Sequence, residues 1–170
     1  MPVSSIMQES PHHTTTTLRR LHMDRDQATA IVGRFGIVIW RGETTVAGVE
    51  HVREMGLELL RQAEPPACML GIVENTAAVP NADTRRLSAK INDEMAEKGV
   101  VGYAALIPTP GFAGAWIRGV VTALNLLARR RYPFRVFEST DDACSWLAQV
   151  LGDSTMAARG VAWFHRSLSR

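Results

Sequence analysis

The residues of this chain best arranged for chemistry are Asp83-Thr84-Arg85-Arg86-Leu87, a hydroxyl at the start of a helix with an acid before it and two guanidinium groups behind. A phosphate on Thr84 would meet free backbone N–H groups and the positive end of the helix dipole, with Arg85 and Arg86 placed to pair with it. The same residues also read as plain helix-start chemistry, with Asn81, Asp83 and Thr84 satisfying orphan donors. A second location is the loops after the central apolar runs, because open α/β sheets bind ligands beyond the carboxyl ends of their strands. Glu74 and Asn75 follow one such run, and Gly111-Phe112-Ala113-Gly114 leads from the next into a helix. Backbone N–H groups at Gly111 and Gly114 could face an anion. The Lys and Ser/Thr of a phosphate-binding P-loop are missing, and a tight loop explains these glycines more simply.

Other chemistries find less support. No G-x-S-x-G, H-E-x-x-H or C-x-x-C occurs, so we expect no catalytic residue, no metal site and no cofactor. Of the five histidines, His12 and His13 stand together near the N-terminus without further ligands at metal spacing, and His22, His51 and His165 are scattered. Cys68 and Cys144 fall at core-like positions and read as buried thiols. The run Arg129-Arg130-Arg131 is explained by the negative end of a helix dipole. With a formal charge of +2 and no interleaved exposed aromatics, no nucleic-acid partner is expected.

These residues have to be held by something. At 170 residues, 46% hydrophobic and 21% charged, the chain suits one domain with a substantial core. No apolar run approaches the ~18 residues of a membrane span and no signal-peptide pattern opens the chain, so a cytoplasmic location is expected. Residues 1–17 are polar and read as a flexible arm. Residues 18–23 add an edge strand, and the apolar runs 28–32 and 37–40 form a hairpin or bent strand around Gly33 and Gly36. Thr44 or Thr45 caps a first helix that Pro65-Pro66 ends. Residues 67–73 make a central strand. Asn81 caps a second helix that closes at Gly99. Residues 100–107 make another strand, 113–131 a third helix and 134–137 a last strand. Ser139 caps a final helix whose stripe is Ala143, Trp146, Leu147, Val150 and Leu151. Residues 152–170 form a coda in which Val161, Phe164 and Leu168 line one side of a short docking helix. The order defines a single layered α/β domain over residues 18–151.

That order, with Arg135, Val136, Phe137, Ser139, Ala143, Trp146 and Leu147 in the closing strand and helix, resembles the divergent STAS-like (SpoIIAA-like, STAS/SEC14-type) domains, relatives of the bacterial anti-sigma-factor antagonists. The run Gly119 to Leu127 fits the preceding helix of that family. The resemblance implies a four- to five-stranded mixed sheet with about four helices, used for protein–protein contact. It also implies a phosphorylatable hydroxyl in an Asp-Ser-x-Gly-Leu motif. Here Asp83, Thr84 and Leu87 match, while Arg86 replaces the glycine.

The third helix supplies a separate clue. Trp116, Ile117, Val120 and Val121 offer more apolar surface than one sheet face needs from one helix. Such a surplus marks a self-association surface, a partner groove or a pocket for an apolar ligand, unless the coda covers it. The expectation is a non-enzymatic regulatory or scaffolding interaction module that meets protein partners and forms a homodimer. The alternative is a small-ligand-binding or catalytic α/β protein using the loops 74–81 and 108–114. A concave site where those loops converge would favour the alternative.

Overall fold

Gln27–Val32 and Phe35–Trp40 form an antiparallel pair of strands, β2 and β3, joined by the turn Gly33-Arg34. Gly33 has φ 56°, a left-handed value that glycine adopts without steric cost. Leu18–Met23 (β1) pairs with β2 on the outer side, so residues 18–40 make a three-stranded meander. Val46–Gln62 (α1), Ala67–Val73 (β4), Ala82–Lys98 (α2), Val100–Leu106 (β5), Gly111–Leu127 (α3), Phe134–Phe137 (β6) and Thr140–Leu151 (α4) follow. This computed structural model describes residues 18–127 and 131–152, with the side chains of 124, 126 and 127 excluded. The expected arm, the coda beyond Gly152, Arg129, Arg130, His12, His13 and His165 lie outside the described residues.

The sheet has six strands in the order β1-β2-β3-β4-β5-β6. The α/β layered class is as the sequence predicts, but the sheet exceeds the expected four or five strands because β1 and the β2–β3 hairpin all join it. From β3 onward the strands are parallel. Three successive crossovers of one hand, all advancing in one direction, put their helices on one face. Accordingly α1 and α2 cover Ile31, Val38, Met69 and Val100 on that face. On the other face α4 packs Ala143, Cys144, Leu147 and Leu151 against Ala30, Ile37, Leu70 and Leu106.

Three of the four helices begin where a local side chain accepts from an orphan N–H. Thr45 accepts from Gly48 N, Asn81 from Thr84 N and Ser139 from Asp142 N. Gly99 closes α2 at φ 115°, while Pro65-Pro66, with a cis bond between them, separates α1 from β4.

The third helix differs from its expected bounds. It begins at Gly111 rather than residue 113, and Arg131 lies outside it, in a bend before β6. Arg131 therefore does not close the helix. It pairs with Glu97 at 2.8 Å and Asp93 at 3.8 Å, tying the entry of β6 to α2.

Candidate functional site

Helix α3 packs chiefly on β6, without the close packing that joins α1 to α2. The gap between α2 and α3 is a cavity of about 500 Å³. Its space has an identifiable origin in the sheet. On the α1–α3 face, β4 offers Gly71 and β5 offers Ala105 as lateral neighbours. A Cβ built at Gly71 would collide with the hydroxyl of Tyr103, whose ring lies across that position. That ring fills the space over Gly71, whereas Ala105, which lines the cavity, leaves the helix above it only a shallow surface to seat on.

The walls are mostly apolar. Val73, Ala105 and Phe134 form the floor, and Val49 and Val52 of α1 close one side. Trp116, Ile117, Val120 and Val121 form the roof. The four residues singled out for a surplus apolar face thus turn it, in whole or in part, toward this cavity; Trp116 still exposes 57% of its surface. The stretch Ala77 to Pro80 contributes to the rim, next to Arg85 and Arg86.

Polar groups are few and fall in two places. At the rim are Thr44, Arg85, Arg86 and Ser88. Deeper, toward the amino ends of β5 and β6, are Asn92, Tyr103 and Asn125. Asn92 accepts a hydrogen bond from the Tyr132 hydroxyl at 3.0 Å. The Asn125 Oδ1 is buried without a hydrogen-bond partner among the described residues, a state that costs about 1–3 kcal/mol for a carbonyl shut away from water. No carboxylate, imidazole or thiol lines the cavity among the described residues. The site can enclose an apolar body and offer it amide, hydroxyl and guanidinium contacts. It presents no paired general acid and base.

The residues predicted from the loops fare differently. Glu74 and Asn75 do not line the cavity; the loop reaches it only from Ala77 onward. Gly111 and Gly114 do not line it either. Gly114 lies so close to the Thr109 carbonyl that a Cβ would fall on the oxygen, which gives that glycine a packing reason. Thr84 is fully buried, with its hydroxyl unpartnered among the described residues, so a kinase would reach it only after the first turn of α2 lifted. Arg86 is paired with Asp83.

Sequence reasoning missed Asn92, Tyr103 and Asn125. Asn125 did leave a trace, as a lone amide within the apolar run Leu124-Asn125-Leu126-Leu127. It also missed a second grouping, in which the rings of His22 and His51 stack at 3.8 Å. His22 Nε2 lies 2.9 Å from Asp24 Oδ2. No group of three or more His, Cys, Asp or Glu side chains is placed to hold a metal ion among the described residues. Cys68 and Cys144 are free and buried. No protein-family model matches the chain, and no curated protein or solved structure does either.

Proposed function

We propose that this protein binds a small, largely apolar molecule in the cavity between α2 and α3, by reversible association rather than turnover. The observation that carries the reading is the half-open cleft itself: about 500 Å³, lined mainly by apolar side chains with a few convergent polar groups. That is the usual size and character of a small-molecule site. A helix normally seated on its sheet would have closed this space, since protein interiors tolerate few voids larger than a water molecule.

The test is a two-dimensional NMR titration of the full chain with a panel of small apolar compounds. Binding should shift the amide signals of Val73, Ala89, Tyr103 and Val120 together, in a saturable way. Val120→Trp should fill the space, leave the fold intact and abolish those shifts. Shifts scattered over the surface, or unaffected by Val120→Trp, would sink the proposal.

A second reading has its own support. Phe112 is 88% exposed and Trp116 57%, one turn apart at the start of α3, which is more apolar surface than a helix end needs in water. In this reading the chain is a STAS-like regulatory or scaffolding module, forming a homodimer or meeting a protein partner in the cytoplasm. The winding of β3 to β6 with α1 to α3 on one face is compatible with that resemblance. Phe112→Asp, at a position too exposed to harm the fold, should then dissociate a dimer in analytical ultracentrifugation. An unchanged sedimentation coefficient from wild type to variant would remove self-association through α3.

A further inference from the structure

The cavity lining is charged in one place and with one sign. Arg85 and Arg86 stand exposed at the rim, and no Asp or Glu lines the space among the described residues. The two guanidinium groups are not equivalent. Arg86 is held by Asp83. Arg85 donates from Nη1 to the Pro80 carbonyl at 2.7 Å, which fixes its head against the loop that forms the rim. It has no carboxylate partner among the described residues, and a guanidinium carries five donors. A cation is therefore steered to the mouth by its own backbone contact and keeps donors free for a ligand.

Below that cation the lining is apolar. Past Ser88, one turn below Arg85, Ala89 of α2, Ala105 of the sheet and Val120 of α3 face one space, and the next polar group down α2 is the Asn92 amide. Arg85 and Asn92 stand seven positions apart on the helix, a rise of about 10 Å. The mouth thus binds negative charge and the shaft beneath it binds hydrocarbon.

We propose that the occupant is a small amphiphilic anion, with its head at Arg85 and a slender apolar body about 10 Å long reaching toward Asn92 and Asn125. This inference rests on the cavity reading above and adds the ligand class to it. An anionic head gains charge-assisted hydrogen bonds from a guanidinium already oriented. A neutral head gains less, and a cationic head meets the Arg85 charge, which no carboxylate offsets among the described residues.

The experiment is isothermal titration calorimetry on the full chain at low salt, with octanoate, octyl phosphate, 1-octanol and octylammonium, all below their aggregation concentrations. The anions should bind about 5-fold tighter than octanol, a modest factor because Arg85 is solvent-exposed, with octylammonium weakest. Arg85→Gln should bring both anions to the octanol level and leave octanol unchanged, and high salt should do the same to the wild type. Which anion binds tighter tells whether the natural head is a carboxylate or a phosphate monoester. Octanol binding as tightly as the anions, or an anion preference that survives Arg85→Gln, would overturn the head-group assignment while leaving the cavity reading in place. Failure of all four probes to bind the wild type would overturn both.

Discussion

At the scale of single residues, burial changes the chemistry of the two thiols. Desolvation pushes Cys68 up to about 12 and Cys144 up to about 11 from an ordinary 9.0. A folded value raised in this way contributes stability that is complete below the unfolded value and is lost as pH climbs through the folded one. The denaturation midpoint, followed by circular dichroism in urea with reductant present, should therefore fall between pH 9 and 11, and Cys68→Ala should flatten that fall. In native buffer near neutrality a thiol reagent should label neither cysteine until urea is added. Asn125 makes the opposite kind of prediction. Replacing its unpartnered amide by an isosteric apolar group, Asn125→Leu, should raise the stability of the ligand-free protein by about 1 kcal/mol, read as a higher melting temperature. Both effects trace to atoms shut away from water, but only the cysteines were legible beforehand, because their positions inside apolar runs are local information.

Among the elements, helix boundaries were legible where a few adjacent residues set them. Thr45, Asn81 and Ser139 each accept from the N–H three residues on, and Gly99 takes the left-handed turn that ends α2. Ser139→Ala should cost about 1 kcal/mol in urea unfolding, as loss of a helix cap usually does. The end of the third helix was misplaced for the converse reason. Arg131 looks like a helix-ending cation in sequence, yet its partners Asp93 and Glu97 are on α2, more than thirty residues away. Contacts at such separations also join β1 to α1. Glu58 pairs with Arg61 on its own helix and with Arg19 on β1, and together these cations hold its carboxyl at about 2, well below the usual 4.5. A depressed carboxylate contributes above its unfolded value and loses that contribution as pH falls toward the folded one. Between pH 4.5 and 2 the outer strand should loosen first, seen as faster amide exchange in β1 than in β3. Glu58→Gln should show the faster exchange already at neutral pH.

The molecule as a whole is unevenly packed. Ile37, Leu70, Ile72, Leu106 and Leu147 are sealed between β-sheet and α4, while α3 covers a hollow on the other face. Amides of α3 should exchange faster than those of α1, and an occupant of the cavity should slow them selectively. The cavity was not legible in the sequence because its floor at Val73, Ala105 and Phe134 and its roof on α3 come from separate stretches of the chain. The surplus of apolar residues on that helix was legible; of the two loops singled out, only the stretch Ala77 to Pro80 reaches the cavity, and Glu74, Asn75, Gly111 and Gly114 do not.

The two margins of the sheet carry a consequence of their own. β1 exposes Arg19 and Arg20 and breaks register between Arg20 and His22, and β6 is only four residues long with Arg135 exposed. A further strand laid along either margin would bury cations against an irregular or truncated ladder. Fibril-like stacking of one copy on the next is thereby discouraged. Among the described residues, both margins therefore work against one sheet serving as the template for another.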